Sequence, residues 1–152
     1  MTVEDNIIRA YKQLLSSDAP LFVADVNERS MTHRFAMYLQ EEFSEYDVDC
    51  EYNRNGLVPK RLESFKESID SDDSNGVTVY PDIIVHHRRI NDNYIVIEAK
   101  KTSSTRGDDL EKLKAYKTEL SYKYAYFIRF PVAEAFDDYN DSSVAQYIQE
   151  IK

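Results

Sequence analysis

The stretch Val77 to Lys101, VTVYPDIIVHHRRINDNYIVIEAKK, constrains the fold more than any other part of the chain. Two β-branched runs flank a short polar turn, one carrying Pro81-Asp82 and the other ending in Glu98-Ala99-Lys100, which reads as a strand hairpin. Strand side chains alternate, so Tyr94, Val96, Glu98 and Lys100 are expected on one face and Ile95, Ile97 and Ala99 on the other. With the loop centred on Ile90, antiparallel partner numbers sum to 180, which sets Asp82 across from Glu98 with both side chains on one face. Two acids facing each other repel in a purely structural sheet. A divalent cation removes that objection, since Mg²⁺ is commonly held by one or two carboxylates plus waters and substrate phosphate.

Pro81-Asp82 on one strand and Glu98-Ala99-Lys100 on the next resemble the motif of the PD-(D/E)XK, or restriction-endonuclease-like, nuclease superfamily. The likeness covers most of the chain, because that family also places an acid-bearing helix before the hairpin and a helix then a strand after it. It implies a metal-dependent nuclease hydrolysing phosphodiester bonds, with DNA as substrate and Mg²⁺, or Mn²⁺ in its place, as cofactor. Asp82, Glu98 and the backbone carbonyl of Ala99 would hold the ion, and Glu28 would add a further acid from the first-helix position. Lys100 would orient the attacking water and neutralise charge on the reacting phosphate, work suited to a compact ammonium.

The bulk properties agree with one ordinary domain over residues 1–152. No apolar run approaches a membrane span, and the opening MTVEDNIIRA lacks the basic-then-apolar layout of a signal peptide. The single Cys50 forms no internal disulfide, which fits a cytoplasmic protein. The net charge of −9 sits awkwardly with DNA, since phosphate binding is driven by Lys and Arg releasing counterions. Between His86 and Arg106, however, five basic residues face two acids, a local +3 that leaves −12 elsewhere. Arg88, Lys101 and Arg106 from this footprint, with Arg34, are the expected nucleic-acid contacts. The acid is concentrated at 70–73 and 134–141, where charge runs usually mean solvated loops.

Ahead of the hairpin, Ile7, Ile8, Tyr11, Leu14 and Leu15 make the stripe of a helix over Val3 to Ser17, and Ser16 to Pro20 ends it. Met31, Phe35, Tyr38, Leu39 and Phe43 predict a second helix from about Asn27 to Phe43. Glu28 lies on that buried stripe. It either points toward the hairpin site or closes a capping box with Asp25. Val48 to Tyr52 alternates as a strand, with Glu51 a lesser candidate ligand. The segment 57–76 is an insertion in which Lys60, Arg61 and Lys66 suit a short helix, and a surface loop is its default reading.

Past the hairpin, a polar loop over 102–107 precedes a helix capped by Asp108 or Asp109, with Leu110, Leu113, Tyr116 and Leu120 as its stripe. Tyr122 to Phe130 is an aromatic strand that reaches the sheet through this helical crossover and so pairs in parallel. Val144 to Ile151 reads as a closing helix. The expected fold is an α/β sandwich of the restriction-endonuclease-like kind, a mixed four-stranded central sheet flanked by helices.

Other chemistries find less support. His86-His87 lacks a second Cys or His cluster at ligand spacing, which argues against zinc. With three glycines there is no phosphate-cradling Gly-rich loop, and no Gly-x-Ser-x-Gly or Cys/His nucleophile arrangement occurs. The twelve tyrosines fit a core without tryptophan better than a base-stacking platform. Two readings compete with the nuclease. One is an idle nuclease-fold module serving as an interaction subunit in a DNA-processing or defence complex, or as a homodimer. The other is a small-molecule phosphohydrolase using the same acids.

Overall fold

The structure is a computed structural model that describes residues 1–52, 61–62, 77–78, 80–90, 92–105 and 107–152. Helix α1 (Val3–Ser17) starts from a reciprocal capping box, in which the Asp5 N–H donates to the Thr2 hydroxyl and the Thr2 N–H to the Asp5 carboxylate. It buries Ile7, Ala10, Tyr11, Leu14 and Leu15, the stripe read from the sequence with Ala10 added and Ile8 only partly covered. A single-turn helix, α2 (Ala19–Val23), follows with Pro20 in its first turn. Helix α3 (Glu28–Glu42) buries Met31, Thr32, Phe35, Ala36 and Leu39 and packs against α1.

The strands are β1 (Asp47–Cys50), β2 (Arg61–Leu62), β3 (Val77–Thr78), β4 (Ile83–His87) and β5 (Asp92–Lys101). Helix α4 (Asp109–Glu119) then carries the chain to β6 (Tyr124–Phe130). After α5 (Glu134–Asp138) and a 3₁₀ turn (Asp141–Gln146), β7 (Ile148–Glu150) closes the chain. The main sheet is mixed and has five strands in the order β1-β4-β5-β6-β7, not the four expected. Among the described strands only β5 and β6 run parallel, joined by α4 as a crossover, as predicted from the sequence. β2 and β3 form a separate antiparallel ribbon, so Val77-Thr78 is not part of the central hairpin and Arg61 lies in a strand rather than a helix.

The fifth strand comes from the segment expected to be the closing helix. Its apolar residues do recur at helical spacing. The open edge of β6 nevertheless carries backbone groups that need partners, and β-branched Ile148 pairs readily there: Tyr126, Phe127 and Ile128 meet Glu150, Gln149 and Ile148. Ile148 and Ile151 consequently enter opposite cores.

Two cores lie on the two faces of the sheet. Ile83, Val85, Ile95, Ile97, Ala99, Ile128 and Phe130 face α1 and α3, while Ile84, Val96, Ala125 and Phe127 face Leu113, Tyr116 and Leu120 at α4. The alternation predicted for β5 holds from Ile95 to Lys101, with one exception upstream. Val85 pairs with Ile95 but His86 pairs with Asn93, so Tyr94 is the extra residue of a β-bulge. The bulge turns Tyr94 away from Val96 and Glu98 and into the α1/α3 core, against Phe43, Tyr46 and Tyr124. Among the described residues, no helix is long and apolar enough to cross a membrane.

Phe35 is fully buried and meets Tyr11 and Phe130 edge-on at 6.1 and 5.9 Å, so it joins α1, α3 and the sheet. Truncating such a residue leaves a cavity that its neighbours fill only in part. Phe35→Ala is expected to lower unfolding stability by about 3–5 kcal/mol, measured as a lower urea midpoint at unchanged slope.

Candidate functional site

The site forms where β5 outruns its neighbour. β4 begins at Ile83 opposite Ile97, so beyond that point the β4-facing groups of Ala99 and Lys101 have no strand to bond. Two carboxylates take the missing places. The Ala99 N–H donates to Asp82 Oδ2 at 2.8 Å, and the Lys101 N–H donates to Glu28 Oε2 at 3.1 Å. Because N–H and C=O of one strand residue point to the same side, the Ala99 carbonyl is directed into this gap as well. Pro81 and Asp82 precede β4 rather than lying within it, which frees the Asp82 side chain to act in place of a strand partner.

The register sum of 180 holds from Ile83-Ile97 to Val85-Ile95, and Asp82 therefore arrives beside Glu98 as the parity argument requires. Glu98 is buried in the α4 layer, where the Tyr116 hydroxyl donates to its Oε1 at 2.9 Å. Burial, followed by the charge of Asp82 and a hydrogen bond with it, pushes the Glu98 carboxyl well above the usual range. Asp82 is also raised, by burial first, against the lowering effect of the Ala99 N–H and of Glu98 as donor. Of the two acids, Glu98 is thus the one held furthest toward its protonated form. The charge of Glu28 pushes Asp82 further up, while Lys100, two residues from Glu98 on the same strand face, pulls it down.

Glu28 opens α3, and the capping alternative falls. The N-cap is Asn27, whose Oδ1 accepts the Ser30 N–H at 2.8 Å. Asp25 instead sits in the left-handed region at φ 51° with its carboxylate 2.9 Å from Lys101 Nζ. Among the described residues, no three His, Cys, Asp or Glu side chains gather closely enough to form a metal cluster by themselves. The donors brought together are therefore the Asp82/Glu98 pair and the Ala99 carbonyl, with Glu28 behind. These hard oxygens fit a cation that keeps most of its waters, as Mg²⁺ does, better than a fully caged one.

The expected phosphate contacts fare differently. Lys101 Nζ is bonded to the Val26 carbonyl at 3.1 Å and to Asp25, so it ties the loop before α3 to the end of β5. Arg34 Nε lies 3.2 Å from Asp18 and its guanidinium bonds Tyr38. Arg88 grips Asp49 through Nε at 3.0 Å and Nη2 at 2.6 Å, at the hairpin tip, the whole of β4 away from Asp82, roughly 20 Å at strand spacing. Arg106 lies outside the described residues. Of the four expected contacts, Arg34, Arg88 and Lys101 are thus engaged internally.

Two contributors escaped the sequence reading. Tyr116 was assigned only to a helix stripe, although the alternation of β5 already sent Glu98 to the layer that the following helix covers. Asp109 reads from the sequence as one of two candidate caps. Asp108 is the N-cap without a side-chain bond, and buried Asp109 has an Oδ2 without a hydrogen-bond partner while its charge pushes Glu98 up. His86 bonds Asp49 at 2.8 Å and His87 bonds Asp92 and the Glu45 carbonyl, all at the far end of the hairpin.

A carboxyl whose pKa is higher folded than unfolded binds its proton more tightly in the folded state. The stability it contributes is present at pH below its unfolded pKa and lost as pH rises through the folded one. In a chelator, the protein is accordingly expected to lose stability from about pH 4.5 upward toward the raised Glu98 value, with a slope approaching about 1.4 kcal/mol per pH unit for one proton. Thermal melts of Glu98→Gln, which keeps a neutral donor toward Asp82, should lack this slope. In comparisons with known proteins, no family model, no curated protein and no solved structure matches this chain.

Proposed function

We propose that the protein is a metal-dependent nuclease of the PD-(D/E)XK type that hydrolyses phosphodiester bonds in DNA. The observation that carries the reading is the hydrogen-bonded Asp82/Glu98 pair at the open end of β5, with Lys100 on the same face. A buried like-charge pair is costly to maintain for structural reasons alone, since one of its members must stay protonated. A divalent cation supplies the missing positive charge.

Asp82, Glu98 and the Ala99 carbonyl would hold Mg²⁺, with Glu28 as an outlying acid. When bound, the ion supplies Lewis-acid polarisation of the phosphate and a water of lowered pKa. The chain's own groups do the rest. Burial and the charge of Asp82 hold the Glu98 carboxyl well above its usual range, so the pair would take up a cation more readily as pH rises. The Tyr116 hydroxyl holds the freed Glu98 carboxylate in place by donating to Oε1. The Ala99 N–H does the same for Asp82, and the Lys101 N–H for Glu28. Lys100 donates toward the attacking water and offsets negative charge as it accumulates on the phosphate. Among the described residues its ammonium forms no ion pair within 4.0 Å, which leaves it available for that work.

Linear, nicked, branched and single-stranded DNA incubated with Mg²⁺ or Mn²⁺ should be cleaved. Asp82→Ala and Lys100→Ala are each expected to lower the rate by roughly 10²–10⁴-fold while circular dichroism melts stay cooperative. Absence of cleavage on every DNA form, together with absence of Mg²⁺ or Mn²⁺ uptake by calorimetry, overturns the nuclease reading in favour of a non-catalytic module. Hydrolysis of free nucleotides without polymer cleavage overturns the substrate assignment alone.

A further inference from the structure

With Arg34, Arg88 and Lys101 committed to Asp18, Asp49 and the Asp25 loop, an acidic chain needs another source of positive charge at its cleft. The surface above Asp82 supplies one. An open cleft there has Glu28 and Asp82 in its lining together with Arg29, His33, Cys50 and Glu51. Arg29 and His33 are both exposed and stand four residues apart on α3, so one helix face presents both to the cleft.

Arg29 is held loosely. Its Nη2 meets Glu51 Oε1 at 3.5 Å, with the two side chains 83% and 49% exposed. Such a pair in open solvent is weak and easily exchanged. Glu51 is held by its backbone: it adopts the left-handed conformation at φ 50°, and its N–H donates to the Asp82 carbonyl at 3.2 Å. The residue bearing the candidate carboxylate thereby also anchors the acid that occupies Arg29.

We infer that Arg29 is the phosphate-binding side chain of this cleft, with His33 one turn behind it, and that Glu51 occupies its guanidinium until a nucleic-acid phosphate displaces it. This rests on the nuclease reading and specifies how that site would receive its substrate. A phosphate presents oxygens that a planar guanidinium grips in bidentate fashion, an advantage that a single carboxylate oxygen at 3.5 Å does not match. Glu51 then acts as an internal competitor, so backbone charge alone does not open the site to every polyanion.

The test is binding of fluorescently labelled single-stranded and duplex oligonucleotides to the full chain, by anisotropy in Ca²⁺ across a salt series, beside Mg²⁺ cleavage assays. Arg29→Ala is expected to weaken binding roughly 3–10-fold at low salt and to make the log–log salt slope shallower by about one. Glu51→Gln is expected to tighten binding, because it removes the competing charge. Arg9→Ala, which removes the same charge from the outer side of α1, should change Kd less than twofold. Thermal melts of each variant establish that folding is intact. If Arg29→Ala keeps the parent Kd and slope while the parent protein cleaves DNA, the inference is overturned and the nuclease reading stands. If Arg29→Ala weakens binding but Glu51→Gln does not tighten it, the competitor role is overturned and the phosphate contact kept. If the parent neither binds nor cleaves any form, both fall together.

Discussion

The arrangement depends on a mismatch in strand length. β5 runs ten residues and β4 five, and the excess leaves backbone N–H groups at Ala99 and Lys101 that need acceptors. A sheet normally answers this with another strand or with water. Here Asp82 and Glu28 answer it, each fixed by one N–H to a main chain that cannot move without disturbing the sheet. The two carboxylates belong to a loop end and a helix start 54 positions apart, yet β5 sets both positions. Lys101 completes the clamp, because its ammonium pins Asp25 and Val26 and so fixes where α3 begins.

A second constraint is electrostatic. Glu98 projects into the α4 core, where it has a hydroxyl donor from Tyr116 and another acid, Asp82, at hand. An isolated buried carboxylate is prohibitively costly, and the pair meets that cost by raising the Glu98 carboxyl well above its usual range. That solution is stable but leaves a latent demand for positive charge at the open end of the sheet. The same demand is met elsewhere in the molecule by internal cations: Arg88 at Asp49, Lys101 at Asp25 and Arg34 at Asp18. At Asp82/Glu98 no such cation is in contact among the described residues, and Lys100 stands near without forming an ion pair.

What the sequence revealed follows the range of the forces involved. The first and third helices were legible because their stripes are local and period 3.6 is hard to imitate over fifteen residues. The parity of Asp82 and Glu98 was legible for a less secure reason. Next to the turn, His86 pairs with Asn93 and His87 with Asp92, sums of 179 and not the 180 of a loop centred on Ile90, and the extra residue at Tyr94 restores 180 from Val85 onward. Without that bulge Asp82 would have faced Ile97, and the acids would have lain on opposite faces. The misreadings are all non-local. Val144 to Ile151 carried a helical spacing, and only the vacant edge of β6, some twenty residues upstream, draws it into a strand. Arg88 looked like a phosphate contact because its neighbours in sequence are basic. Its neighbour in space is Asp49, delivered by a strand whose pairing the sequence does not announce.

This difference between sequence neighbourhood and spatial neighbourhood bears on the charge problem. A net −9 chain with a basic cluster suggests a cationic patch on a repellent body. Folding engages Arg88 and Lys101 of that cluster with the chain's own acids, so the patch is weaker as a field than the sequence suggests. On the nuclease reading, affinity for a polyanion must then come from few contacts at short range: a cation at the carboxylates and a guanidinium at the cleft mouth. Short-range contacts fall off within a Debye length, about 8 Å at physiological salt, and they act only on a strand already in the cleft. Long-range attraction to bulk nucleic acid is correspondingly weak. An acidic surface around such a site favours selectivity for substrates whose shape admits a backbone to β5, because charge alone supplies no reason to stay.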